Sequence, residues 1–493
     1  MNTFIEYFKY SKDHLLVYNS VAFFGLFTFF YLLFLLASKK IPVRNILLLA
    51  FSLFFYYRLS GLFVVLMCFI AASDYVIGRI ILATKNERVK VRFLMLSIFI
   101  SVGSLLYFKY TGFILDLINA IFQTEIKAPA FSLLMPIGIS FYVFKTLSYI
   151  FDCYNEVIEK PEKNYLTYLL YVSFFPNILA GPIAKARHLL PQFNSPTLIT
   201  KDSMSRGFFL IMLGIVKKYL IADFLWNNFI ERVFNAPTLF SGLENWIAMY
   251  MAAIQFYYDF SGYTDLVLGI SLLLGFEIQN NFNRPFLAQN VTDLWRRWHI
   301  TLSTWLSEYV FTPLNYSLRK YKKPGAVFAS ILTFVISGLW HGPKLTYVLW
   351  GTLHGMAIGW DVASQNWRTY WKKLIPASGY KFISIFITFH FIAFTIVLFD
   401  AKDIRYAFDM YSMMFTKTAV SLFGQWLGVY WSEFLIFAGA LFIHFTPSSF
   451  KETLIKRFRN LHLLAKALLI FLVIIFVFQF YSAETQNFIY LKF

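Results

Sequence analysis

Charge is scarce in this chain. Of its 493 residues only 14% are charged, while 58% are hydrophobic; soluble domains carry charge at about a quarter of positions. A soluble globular protein is thereby excluded, and the composition reads as an integral membrane protein. Cysteine is nearly missing: Cys68 and Cys153 both sit in apolar surroundings with no metal-like spacing, which excludes a disulfide framework and a thiolate site. No linker rich in Pro, Gly or Ser divides the chain and no repeat recurs at a fixed period, so residues 1–493 read as one membrane domain. There is no Gly-rich phosphate loop, no GxSxG elbow and no HExxH pair, which leaves P-loop, serine-hydrolase and zincin chemistry without their signatures.

What is abundant is apolar length. Val17 to Ala37 and Leu463 to Tyr481 reach the ~20 residues of a spanning helix. Asn45 to Tyr57 and Gly325 to Leu339 are shorter and read as short spans, re-entrant pieces or segments buried in protein. The length criterion gives an all-α polytopic protein with roughly ten to thirteen membrane segments. The N-terminal MNTFIEYFKYSKDH carries acidic residues and no small-residue cleavage site follows, so Val17 to Ala37 reads as a retained first helix. The net charge of +18 resides in short connections: Lys39, Lys40 and Arg44; Lys85, Arg88, Lys90 and Arg92; Arg319, Lys320, Lys322 and Lys323; Arg368, Lys372 and Lys373; Lys451, Lys456, Arg457 and Arg459. That is the positive-inside pattern, which predicts cytoplasmic loops there and an outward-facing N-terminus. It needs no nucleic-acid partner, and it offers a rim attractive to anionic lipids or anionic soluble cofactors. Aromatic residues, at 21%, are enough for interfacial belts and rigid interhelical packing.

The segments fall into an N-terminal set to about Phe122, a central region from Met135 to Trp360, and a C-terminal set from Phe382. Polar residues interrupt the central region: Lys145, Asp152, Asn177, Lys217, Lys218, Asp259, Asp265, Arg296, Arg297, His299, His341 and His354. Such groups at membrane depth are unfavourable unless paired, hydrated or snorkelling. Lys145 and Asp152, two turns apart on one helical face, are a candidate pair, and Lys217 and Lys218 are candidates for snorkelling from a helix end. In TDLWRRWHITLSTWLSEYVFTPL, residues 292 to 314, Trp295, Trp298, Leu302, Trp305 and Leu306 recur at spacings of three and four, which predicts an amphipathic helix at the interface. Arg296 and Arg297 lie off that stripe, placed to anchor to headgroups, to pair with Asp293 or Glu308, or to bind a substrate phosphate; His299 shares the Arg296 side.

In SGLWHGPKLTYVLWGTLHG, residues 337 to 355, Gly338, Gly342 and Pro343 disfavour an uninterrupted helix around His341. A straight helix over 325–340 would carry that imidazole about 24 Å from its cytoplasmic end. Two readings follow: a neutral imidazole poised as a base that takes the proton of an acceptor hydroxyl, or a hydrogen-bonded interhelical histidine. Pro136 and Gly138 break MPIGISFYVFKTLSYIFDCY, residues 135 to 154, and FFPNILAGPI, residues 174 to 183, ends an apolar run; broken segments of this kind line cavities. DFSGYTD, residues 259 to 265, sets two carboxylates around a Gly-containing break, and NNFNRPF, residues 280 to 286, follows as a polar turn.

Together with WRRWH, WHG and LHG, these stretches resemble in their order the membrane-bound O-acyltransferase family. The likeness is to its bacterial branch, that of the alginate O-acetyltransferase membrane subunit and the D-alanyl transfer protein of teichoic acid. The similar stretches cover about Phe131 to Trp360. The resemblance implies helices around a tunnel, with a cytoplasmic acyl donor on one side and an acceptor hydroxyl from the other. It assigns the catalytic histidine to His341 and a second tunnel histidine to His299, with His354 at a further HG pattern. Trp340, Asn177 and Asp265 count as tunnel or supporting residues; Asn177 and Lys145 stand where relatives often have glutamine. Combining both lines, the expectation is an O-acyltransferase of the bacterial cytoplasmic membrane, with Arg296 and Arg297 near the donor's phosphates. The donor expected is acetyl-CoA or another acyl thioester, with no tightly bound cofactor and no metal. The acceptor expected is an exported polysaccharide or an extracytoplasmic partner that finishes the transfer, and the partners expected are an extracytoplasmic acyltransferase or polysaccharide export machinery. A transporter or flippase with a polar intramembrane path is the rival reading, and a non-catalytic assembly scaffold a third.

Overall fold

The computed structural model describes residues 10, 16–18, 20–129, 131 and 134–480, and among these every regular element is helical. The acidic N-terminal stretch, apart from Tyr10, and the end of the last apolar run at Tyr481 lie outside the described residues, and with them the expectations on the N-terminus. Two compact units are present, one up to Phe208 with Val267–Gln279 added, the other comprising Phe209–Leu266 and the chain from Asn280 onward.

The first unit opens with α1 (Val21–Ala37), α2 (Ile41–Ser60), α3 (Phe63–Ala83) and α4 (Glu87–Phe122). Helix α1 is apolar all round, and its two faces have different solvents. Phe23, Phe27, Phe30 and Phe34, one helical stripe, are buried, whereas Val21 and Leu36 on other faces are almost fully exposed, as expected of a helix that meets protein on one side and lipid on the other. The stripe packs on aromatic rings, with Phe30 stacked 4.1 Å from Phe51, itself edge-on to Phe175 at 4.8 Å.

Arg44 of α2 is not a rim charge. It is fully buried, and its guanidinium donates to the Ser195 carbonyl at 2.8 Å and to Thr197 Oγ1 at 2.9 Å. The planar fork can satisfy several oxygens at once, which lets an arginine be buried without a carboxylate. Lys90, in the next basic cluster, is likewise paired, with Glu87 at 2.9 Å and Glu156 at 2.8 Å. By that hydrogen bond and its charge it holds the Glu156 carboxyl below its ordinary range.

Helix α5 (Ile139–Tyr154) starts where predicted, at Gly138, whose φ of +78° suits glycine and whose missing Cβ leaves room for the Ile178 carbonyl. The Lys145–Asp152 pair does not form. Seven residues along a helix separate side chains by about 10 Å, and each group finds a nearer partner. Lys145 Nζ donates to the Val172 carbonyl and to Asn177 Oδ1, both at 3.1 Å, while Asp152 pairs with Arg187 at 3.3 Å. Helix α6 (Tyr165–Ser173) and the 3-10 turn Phe175–Asn177 present these acceptors, and α7 (Ala186–Phe193) carries Arg187.

The second unit holds half of α8 (Lys201–Val216) and most of α9 (Gly242–Leu273). Helix α9 runs unbroken through DFSGYTD, against expectation: Gly262 serves a close crossing, facing the Gly214 carbonyl at 3.0 Å from where a Cβ would stand. Lys217 and Lys218 do not snorkel. They open a π-helical turn, Lys217–Asp223, whose wider repeat lets Lys218 meet Asp223, five residues on, at 2.8 Å. Lys218 also pairs with Asp259 at 2.7 Å, and Asp265 is held between Lys217 at 2.6 Å and Lys451 at 3.3 Å.

The expected interfacial helix over 292–314 is instead a broken chain. It comprises α10 (Val291–Trp295), α11 (Ile300–Leu306), a π-helical turn and a further short helix, and its tryptophan and leucine stripe is buried in protein. Next come α12 (Lys322–His341), α13 (Leu345–Ala363), the short basic α14 (Gln365–Leu374), α15 (Ala377–Asp400), α16 (Trp431–Phe445), α17 (Ser448–Asn460) and α18 (Leu463–Phe478). Among the described helices four are long and apolar enough to cross a membrane, or up to five if the bent pair Val420–Val429 and Trp431–Phe445 is one span. Others are shorter, as α1 and α18 are, or carry polar groups, as α2 and α9 do.

Helices α12 and α13 form the closest hairpin, backbone against backbone. A Cβ on Gly338 would collide with the Tyr347 carbonyl, one on Gly351 with the Phe334 carbonyl, and one on Gly355 would lie 2.6 Å from Ile331 Cα. Small residues permit this approach where apolar burial against lipid gives little preference. Gly351→Val should therefore lower the apparent melting temperature in detergent, by an overpacking cost of about 1–3 kcal/mol. Gly439→Ala, where nothing lies within 4 Å of the added Cβ, should leave it unchanged.

Candidate active site

The break that the sequence suggested at His341 instead has a twin at His299. His299 adopts φ +42°, ψ 52°, a left-handed conformation that ends α10's turn and starts α11 in a new direction. The cost of such a conformation in a non-glycine residue is of order 1–3 kcal/mol and persists only where the surroundings fix it. Here the fixing element is NNFNRPF. The Asn281 carbonyl accepts from Ile300 N at 3.0 Å, its Oδ1 accepts from Thr301 N at 3.2 Å and Thr301 Oγ1 at 2.6 Å, and Asn283 N donates to the Arg297 carbonyl at 2.9 Å. Asn281 thus supplies the helix cap that His299 does not. Sequence reading noted the polar turn but not this role; three asparagines in an apolar chain were the signal available.

His341 is the last residue of α12. The helix runs through Gly338 and stops at Gly342, so the imidazole does stand where backbone order changes. It lies amid aromatic rings: Trp340 at 4.8 Å, Phe399 at 4.8 Å and Trp350 at 5.4 Å. His299 faces Phe260 at 4.8 Å and Trp340 at 6.3 Å, so the Trp340 ring neighbours both imidazoles.

His354, on α13, is bound at both nitrogens. Trp295 Nε1 lies 3.2 Å from Nδ1, and Thr395 Oγ1 of α15 lies 3.0 Å from Nε2. His299, His341 and His354 all line one cavity, of about 30 Å³ counted as the space open to the centre of a water molecule. Its remaining wall is apolar and aromatic, from Leu294, Trp298, Leu302, Trp350, Ile396 and Phe399 among others. All three imidazoles are nearly inaccessible from outside. A neutral histidine in such a setting suits proton transfer, since water does not compete for the reacting groups.

Other predicted site residues stand elsewhere. Arg297 pairs with Asp293 at 2.9 Å, one of the partners expected, and Arg296 is exposed; neither lines the cavity. Asp265 is absent from the lining, held by Lys217 and Lys451. Asn177 belongs to the first unit, where it holds Lys145 and donates to the Pro182 carbonyl at 3.2 Å. Thr395, Trp350 and Phe399 were not singled out from sequence, because a threonine or an aromatic inside an apolar run carries no mark of its partner.

Comparison with known proteins meets this geometry at its boundaries. The membrane-bound O-acyltransferase family matches residues 93–399, a range that contains every residue lining the cavity, down to Phe399. A protein of Pseudomonas aeruginosa named probable alginate O-acetylase is 34% identical over 83% of this chain and 76% of its own. A peptidoglycan O-acetyltransferase of Helicobacter pylori is 32% identical over 75% of this chain and 73% of its own. A teichoic acid D-alanyltransferase of Bacillus subtilis is 30% identical over 56% and 72% respectively. With apolar helices fit to cross a membrane, a cavity lined by three histidines and a family match over most of its length, the chain belongs to the membrane-bound O-acyltransferase family and is a multi-pass O-acyltransferase.

Proposed function

We propose that this enzyme moves a small acyl group, acetyl in the first instance, from a cytoplasmic thioester to a hydroxyl of an exported polysaccharide or of an extracytoplasmic partner protein. Acetyl-CoA is the donor that best fits the basic loops, with exposed Arg296 the better of the two arginines for its phosphates, since Arg297 is engaged by Asp293. The enzyme would reside in a bacterial cytoplasmic membrane. The observation that carries this reading is that His341 and His299 line one small apolar cavity within the family-matching segment. Relatives named for acetylating alginate or peptidoglycan support the acyl group and the acceptor class.

In this reading His341 takes the hydroxyl proton as the oxygen attacks the thioester carbonyl. The carbon–sulfur bond breaks, the thiolate leaves, and the proton passes from His341 to it, so charge and atoms balance. Aromatic walls exclude water, which would otherwise hydrolyse the thioester. His299, on its clamped turn, orients the donor end.

Three outcomes test this. In reconstituted protein, His341→Ala should lower acyl transfer by about 10²–10⁴-fold while the protein stays monodisperse; near-normal turnover would sink the assignment. Asn281→Ala removes the cap that sets His299, leaving Thr301 donors unsatisfied at a cost of about 1–3 kcal/mol, and should reduce kcat by about tenfold or more through misplacement. Mass spectrometry of cell-surface glycans should show acyl esters that vanish when the protein is deleted; unchanged esters would count against the acceptor class.

A further inference from the structure

The hydrogen bonds of His354 fix its proton. Indole Nε1 can only donate, so His354 Nδ1, 3.2 Å from Trp295 Nε1, is an acceptor and bears no hydrogen. A neutral imidazole with a bare Nδ1 carries its proton on Nε2, which then donates to Thr395 Oγ1 at 3.0 Å. Thr395 in turn donates to the carbonyl of Phe391 or Ile392, both at 3.0 Å. The relay runs in one direction, from indole to imidazole to hydroxyl to backbone, and ends on a helix carbonyl. His354 cannot accept a further proton at Nδ1 without breaking its bond to Trp295.

The relay holds a wall. Trp295 is the last residue of α10, wedged edge-on against Phe334 at 4.8 Å and Trp350 at 5.8 Å, and it lines the cavity together with His341. About 30 Å³ open to the centre of a water-sized group leaves room for a few heavy atoms beside Trp295. Resting on the acyl-transfer reading above, we propose that His354 is a positioning residue, not a base. Its relay from Thr395 holds Trp295 as the rigid end of the acyl pocket and limits the transferred group to two or three carbons.

The test uses the full-length protein in nanodiscs, with acetyl-, butyryl- and hexanoyl-CoA as probes and thiol release in the presence of an acceptor polysaccharide as readout. Wild type should prefer acetyl over butyryl by about 10–200-fold or more, the range that a methylene or two commands in a tight apolar pocket. His354→Leu and Thr395→Val, which cut the relay, should lower that preference at least tenfold. His354→Gln, which can accept from the indole and donate to the threonine, and Thr395→Ser should restore it. Trp295→Phe should raise kcat/KM for butyryl-CoA. A preference unchanged in folded Thr395→Val and His354→Leu would overturn this inference alone, as would loss of length discrimination in both conservative variants. Should His354→Leu fail to fold, Thr395→Val decides. Wild type inert toward all three thioesters would overturn the proposed CoA-thioester donor, and the pocket limit with it.

Discussion

The backbone contact between α12 and α13 is the constraint on which the site depends. Gly338, Gly351 and Gly355 bring the two helices to carbonyl-against-Cα distance, and the histidines at issue sit at fixed places on that hairpin, His341 at the end of one helix and His354 within the next. Side chains at a normal interhelical separation of 8–10 Å would leave the two imidazoles on helices free to slide. With backbones touching, neither helix can shift without collision, so the places of the two histidines are set by the main chain. Trp350, one residue before the Gly351 contact, is thereby pressed between both imidazoles, 5.4 Å from His341 and 4.6 Å from His354.

The second unit carries charge inside, and disposes of it by pairing. Lys218 has Asp223 and Asp259; Asp265 has Lys217 and Lys451. Breaking a buried pair by removing one partner costs about 3–5 kcal/mol, so these residues hold elements far apart in sequence to one another. They explain why a polar composition in the central region does not by itself mark a conduction path. Each intramembrane charge that raised the transporter reading from sequence, in this group, has a counter-ion close at hand.

Much of the site was legible beforehand, and the reason differs by residue. His341 stood out because a helix-breaking Gly-Pro step follows an apolar run, a local feature that a sequence displays directly. The break at His299 was missed because its cause lies in Asn281, in a different segment, and the tryptophan stripe around it has the periodicity of a helix whether or not the helix is continuous. Asp265 was marked as a supporting residue, yet one of its partners is 186 residues away, a distance no periodicity spans. Lys145 was paired with the wrong residue for a related reason: helical spacing shows which residues share a face but not whether side chains span the rise between them. All-α architecture and membrane residence, by contrast, follow from composition, which is a property of the whole chain and insensitive to any one contact.

Arg44 has a consequence for how the protein is threaded through the bilayer. Its guanidinium grips the Ser195 carbonyl and Thr197 Oγ1, while its neighbours Lys39 and Lys40 stay exposed at the start of the same helix. Residues 195–197 are bound directly to that end of α2, so they emerge on whichever leaflet receives the lysines. The topogenic signal read by the insertion machinery at one loop is thus copied, by a single buried side chain, onto a second loop some 150 residues later, which carries no positive charge of its own between Pro191 and Thr200.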